Sequence, residues 1–354
     1  MSRAASILLL LAVSACRPST ETAPPSHEPA TGSNPVAAVI AADPVRPPPV
    51  AQPAPASSRL LAESMPGSFT LLLGIDIAAL QDTSFWADLH TIIAAELSEP
   101  VGAMEECGVG SRTWRALAFG MDTLSRIDEP MAVALSATGL GRADTLACIA
   151  SELASRRDGQ PPWNRRSTDG AMVFTDDTTA YVIDNDTVVW SSAAAGAAVE
   201  QRLRGGGPSI FEGPLRPALV RTDTRRPLWF AGTIPRATPP TLLADDMGEP
   251  RNAAGWMDMR SGLEVLVSIA VESPGAAARV RTAAISEFPQ FQIMAQGMGI
   301  PETTLDSVEF GTMGDAFTVS VFASASDVEK IQQRMMEVLF PEDTSDASDP
   351  ARRH

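Results

Sequence analysis

The chain has 354 residues, a formal net charge of −16 and 44% hydrophobic residues. That length and apolar content suit one large domain or two small ones. The charge disfavours nucleic acid, whose phosphates an acidic surface repels. With Lys330 as the only lysine, a polybasic grip on anionic lipid is also disfavoured.

The chain opens with a short leader. Arg3 and the amino terminus supply positive charge, Ile7 to Val13 an apolar run, and Val13-Ser14-Ala15-Cys16 a small-residue cut site. The run is too short to cross a bilayer, which takes ~20 apolar residues. It is therefore a cleaved signal, which Ser14-Ala15 favours, or an uncleaved interfacial anchor. Val13 to Cys16 resembles the lipobox of bacterial lipoproteins. The resemblance implies cleavage before Cys16, diacylglycerol and palmitate on Cys16, and life in the cell envelope. Arg17 follows, where Asp often means inner-membrane retention in such proteins. The implied address is the outer membrane, lipid-anchored, periplasmic or surface-facing.

Residues 16–58 read as a disordered tether. Between Arg17 and Ser58 there are eleven prolines and no aromatic residue. Such a segment buries too little apolar surface to offset its ordering entropy. At ~3.1 Å per residue its reach is at most about 130 Å.

Foldable sequence begins near Arg59. Phe69 to Ile77 is an apolar run of strand length. Asp82, Thr83 and Ser84 offer N-cap side chains for a helix carrying Phe85, Trp86, Leu89, Ile92, Ile93 and Leu97, which stops near Pro100 to Cys107. Trp114 to Asp122 and Met131 to Thr138 predict two strands, and Ala143 to Leu153 a helix. A meander follows at Ala171 to Phe174, Ala180 to Ile183 and Val188 to Trp190, with turns at Asp176-Asp177 and Asp184-Asn185-Asp186. An alanine-rich helix, Ala193 to Leu203, ends at Gly205 to Gly207.

The order then starts again. Leu228 to Ile234, Ala254 to Met259 and Leu263 to Val271 predict strands, with a short helix at Thr238 to Asp246. Pro274 opens a helix running to about Glu287. Leu305 to Phe310 and Ala316 to Phe322 predict a hairpin across Met313 to Asp315. A last helix, capped near Ser326, would bury Val328, Ile331, Met335 and Leu339. The closest internal echo sets Thr187 to Arg204 against Thr318 to Met335, each a strand that runs through Ser and Ala into a helix. The expected fold is α+β: antiparallel sheets with helices packed on one face. The repeated order suggests two tandem similar halves, residues 59–210 and 211–340, before an acidic disordered tail at 341–354.

Catalytic signatures are scarce. The three histidines are His27, His90 and His354, so no His-Glu-x-x-His helix exists. Gly-x-Ser-x-Gly, Ser-x-x-Lys and a Walker loop are missing too. His90 reads as a half-exposed helix histidine. Asp184-Asn185-Asp186 lacks the remaining ligands of a calcium loop and reads as a turn. Met294, Met298 and Met313 suit core gaps. Asp82 suits a cap better than acid–base work, which leaves Asp76, Asp88, Glu264 and Glu272 as the carboxylates to test. Most tryptophans belong in the core; Trp163, in a loop with Arg165 and Arg166, is the one candidate for ligand binding. Cys107 and Cys148 are an even pair in an oxidising compartment and are expected to form a disulfide, the alternative being two buried free thiols.

The folded part also looks like that of large envelope lipoproteins of GC-rich Gram-negative bacteria, with no motif to carry over residue by residue. The expected function is a non-enzymatic binding or scaffold module; the alternative is a carboxylate-dependent envelope hydrolase acting on polysaccharide. No cofactor, metal or catalytic residue is assigned. The expected partners are the membrane, through the lipid on Cys16, and an envelope protein or glycan.

Overall fold

A computed structural model describes residues 57–122, 130–165, 171–174, 178–234 and 249–339. Cys16, the tether up to residue 56, the turn at Asp176-Asp177, the helix expected at Thr238 to Asp246, Arg166 and the acidic tail lie outside these residues, as do the side chains of Asp88, Ile92, Met335 and Leu339. Ser57 and Ser58, expected in the tether, instead open a helix in which Ser58 is buried. The first half contains α1 (Ser57–Ala62), β1 (Leu71–Ile75), α2 (Ser84–Glu96), α3 (Ser98–Glu106), β2 (Trp114–Met121), β3 (Met131–Ala137), α4 (Ala143–Ser155), β4 (Trp163–Arg165), β5 (Met172–Phe174), β6 (Thr179–Val182), β7 (Thr187–Ser191) and α5 (Ala193–Leu203). The second contains α6 (Arg216–Leu219), β8 (Leu228–Thr233), β9 (Asn252–Asp258), β10 (Leu263–Ala270), α7 (Pro274–Gly297), α8 (Glu302–Asp306), β11 (Glu309–Met313), β12 (Ala316–Ala323) and α9 (Ala325–Leu339).

All twelve strands join one antiparallel sheet, in the order β11-β12-β10-β9-β8-β1-β2-β3-β7-β6-β5-β4. The two halves meet at β1 and β8, where Leu73 faces Phe230 at the middle of the pairing. In each half three strands run as a meander, a helix follows, and a return strand pairs with the third strand. That strand is β7 against β3 in one half and β12 against β10 in the other. The internal echo noted in the sequence therefore falls on equivalent places, β7–α5 and β12–α9. The halves share one sheet; they do not build two.

Strand alternation sorts side chains to two faces. On one face Leu72, Ala118, Ala132, Ala134, Val189, Trp229, Ala231 and Ala254 pack with Leu61 and Ala62 of α1, Val199 of α5 and Leu219 of α6. On the other Ile75, Leu135, Val188 and Leu228 pack with Phe85 and Leu89 of α2, Val101 of α3 and Ile149 of α4. Helices thus cover both faces of the first half. The first face is paved with small residues where large ones lie over them, either from a neighbouring strand, as Trp229 does over Gly74, or from outside the strands, as Phe69 does over Gly120. A Cβ on Gly74 would lie 2.2 Å from the Trp229 ring, and one on Gly120 would lie 2.5 Å from Phe69. The second half has a smaller core, where Ala276, Ala277, Val280 and Ala284 of α7 meet Phe317.

Several boundaries differ from the sequence reading. Pro100 does not stop a helix; it sits in the first turn of α3, where its missing N–H is no loss. Thr83, not Asp82, caps α2, its hydroxyl accepting from the Trp86 N–H. The helix expected to end near Glu287 continues through Pro289 to Gly297. The strand expected at Leu305 begins at Glu309, after the short helix α8. Ser324 rather than Ser326 accepts from the Asp327 N–H at the start of α9. Val328 and Ile331 there are only half-buried.

Candidate functional site

Two regions hold the chemistry worth weighing: an arginine–carboxylate cluster at one end of the neighbouring strands β8, β9 and β10, and an apolar ledge along α7. In the cluster, the loop before β8 supplies Asp223, Arg225 and Arg226, the end of β9 supplies Asp258 and Arg260, and β10 supplies Glu264. The Arg226 guanidinium lies 4.1 Å over the Trp256 ring and donates to Asp258 and Glu264, both at 3.1 Å. Arg260 donates to Asp258 at 2.9 Å through its Nε. These donors, Arg260 first, hold the Asp258 carboxyl at about 2, so it is a carboxylate at any ordinary pH.

Asp76, just past β1, behaves in the opposite way. Burial pushes its carboxyl above the usual range, against the pull of the Ala79 and Ser57 N–H groups and of Arg260. Its acceptor role toward Ser57 pins the start of α1. Ser58 adds a hydroxyl that accepts from Trp229 Nε1 at 3.0 Å. Arg59 donates to Thr224 at 3.0 Å and lies 4.5 Å over the Phe211 ring. The sequence named Asp76 and Glu264 separately, and the fold brings both within the field of Arg260. It does not bring Glu272 there, which pairs with Arg279 at 3.6 Å.

His90 lies on the face of the sheet that bears α2. Its ring sits 6.0 Å from Trp86 and 5.8 Å from Trp114. Its side chain is 19% exposed, with Nε2 3.6 Å from Glu105 of α3. Asp184 and Asp186 serve the turn between β6 and β7. Asp184 accepts from the Asp186 N–H at 2.8 Å, and Asp186 accepts from Gly139 at 2.7 Å and from Arg115 at 3.1 Å. Among the described residues no group of three or more His, Cys, Asp or Glu is placed to hold a metal ion. Trp163 is on edge strand β4, not in a loop, and is half-buried against Phe174 at 5.3 Å. Arg165 beside it is exposed.

Cys107 and Cys148 form a disulfide with their Cα atoms 5.8 Å apart. It ties the end of α3 to the middle of α4.

Sequence reasoning missed the ledge, because its methionines look like core. Met294, Met298 and Met313 do not fill core gaps: they are 57%, 52% and 43% exposed. Ile285 and Phe291 are each 46% exposed and Ile293 73%. The cause is length. α7 has 24 residues, about 36 Å at 1.5 Å per residue, and its buried contacts with the sheet lie mostly in its first half. Below the ledge, Arg281, Ile285 and Phe288 of α7 face Val308, Glu309 and Phe310 across a shallow groove of about 470 Å³. Phe288 meets Phe310 edge-on at 5.1 Å, and Arg281 donates to the Phe310 carbonyl at 2.9 Å.

No family model, no curated protein and no solved structure matches the chain.

Proposed function

We propose that the chain is an exported lipoprotein, acylated at Cys16 and held at the outer membrane by a proline-rich tether, whose folded part is a non-enzymatic binding module. The observation that carries the binding reading is the ledge. A folded acidic domain that exposes a run of large apolar side chains on one helix presents an interaction surface. The Cys107–Cys148 disulfide supports export, since such bonds persist in oxidising compartments. The carboxylates around Arg226 and Arg260 support a structural role for that cluster. Asp223, Asp258 and Glu264 each accept from or pair with arginine, and a general acid must instead be free to release a proton.

The test has two arms. Fatty-acid labelling should appear on the wild-type protein and vanish in Cys16→Ser; labelling that survives the substitution rejects the anchor. Purified protein should turn over no envelope glycan or peptide. Hydrolysis abolished by Asp76→Asn or Glu264→Gln would promote the hydrolase instead.

A further inference from the structure

We infer that the second half of α7 is a membrane-docking element that enters the interfacial zone of an uncharged lipid surface. The inference rests on the anchored-module reading and names what its ledge binds. From Phe288 to Pro301 no side chain is charged, in a chain of which 20% is charged. Within that stretch Phe291, Ile293, Met294 and Met298 are all exposed. At 100° per residue they fall on an arc of roughly 160°, which also contains the exposed, uncharged Gln290, while Gln292 and Gln296 take the other side of the helix. An amphipathic segment of low charge that buries such an arc at the headgroup–acyl boundary gains free energy in proportion to the apolar area it hides.

Charge decides between occupants. A second copy would bring another chain of formal charge −16 against the first, and Glu287 and Glu302 bracket the uncharged stretch on each. An anionic lipid surface is opposed by the same charge. A zwitterionic surface meets no such repulsion. The tether makes even weak docking effective. It joins the fold at α1, and the residues before Ser57, extended at ~3.1 Å each, reach about 120 Å. Any face of the domain can therefore turn to the membrane that holds Cys16. Confinement at that distance raises the local concentration of lipid, so a site too weak to hold the free protein is occupied in the anchored one.

The experiment uses the full chain carrying Cys16→Ser, which has no acyl chain. An environment-sensitive fluorophore is placed at Ile293→Cys, with Ser155→Cys on α4 as the control position. The probe is a vesicle of phosphatidylethanolamine and phosphatidylcholine, with or without added phosphatidylglycerol. The label at 293 should brighten, be quenched by lipids brominated in the acyl chain, and be unaffected by 0.5 M salt; the label at 155 should not respond. Phe291→Asp with Met294→Asp should lower vesicle partitioning by at least ~100-fold, because each side chain of that size contributes about tenfold or more when buried. A silent label at 293 overturns the inference. So does binding that needs phosphatidylglycerol or disappears in salt. Sedimentation showing a dimer that the double substitution dissolves would assign the ledge to a second copy instead. Because no variant here is lipidated, failure of the ledge and failure of the Cys16 anchor are read separately.

Discussion

Strands β1–β7 and strands β8–β12 follow the same path, yet they are secured by different means. The first half has helices against both faces and a disulfide between α3 and α4. The second half shares the first half's core through Trp229, Ala231 and Ala254 of β8 and β9. Farther out it has a small apolar core under α7 and, where β9 ends and β10 begins, a network of Arg226, Arg260, Asp258 and Glu264. One half is closed by packing and a covalent bond; the outer part of the other leans on charge and leaves the end of α7 uncovered. The same topology can thus carry a rigid body and an exposed surface, and the difference lies in what covers the strands.

The joint between the halves should be the most sensitive place. Trp229 of β8 is fully buried against Gly74 of β1 and donates to Ser58 of α1. Trp229→Ala removes a large buried side chain and leaves a cavity, for an expected loss of about 3–5 kcal/mol in chemical denaturation. Ile293→Ala on the ledge should move the same curve by less than about 0.5 kcal/mol, since that side chain touches mostly solvent. Comparable losses at the two positions would mean that the ledge is not free.

Reduction should separate the halves next. The bond spans a sequence separation of 41 residues, and a loop of that size corresponds to about 3–4 kcal/mol in the chain-entropy treatment. Cys107→Ala with Cys148→Ala should lower the denaturation midpoint by an amount of that order. Hydrogen exchange should quicken first in α3 and α4, and only later in α7. Uniform quickening across both halves would show that the sheet opens as one unit.

Much of this architecture is written locally. The alternation of Leu263 to Val271, the capping run before Phe85 and the glycines after Leu203 each mark an element through its own neighbours, and the repeated order of the halves follows from them. What escaped reading depends on distance along the chain. Pro100 resembles a stop until α3 is seen to begin at Ser98, because the same ring suits a first turn and ends an interior one. Met294 and Met298 are core-like by type, and only the outer edge of the sheet leaves them uncovered. Trp163 reads as a loop residue after two prolines until β5 is seen to pair with it. The carboxylates were visible singly, and Arg260 stands four residues before Glu264, but nothing near Asp76 in sequence announces Arg260 as its neighbour too.

Acid should act on the second half first, and with the smallest of these effects. Asp258 has a folded-state value of about 2 against an ordinary 3.8. A depressed carboxylate contributes stability that is fully present above the ordinary value and is lost as pH falls toward the folded one. The window is therefore pH 4 to pH 2, and a shift of this size corresponds to something on the order of 2 kcal/mol. Asp76 has the opposite sign: its carboxyl is raised by burial, so protonation near its own folded value relieves a cost and partly offsets the loss. Asp258→Asn removes the Asp258 component. The variant should be less stable at pH 7, where Arg226 and Arg260 lose a charged acceptor, and its stability should fall less steeply than wild type between pH 4 and pH 2. The covalently closed first half should show little of this dependence in its own exchange rates. If wild type and Asp258→Asn lose stability in parallel below pH 4, the arginine network does not hold the second half, and the contrast between packing and charge must be redrawn.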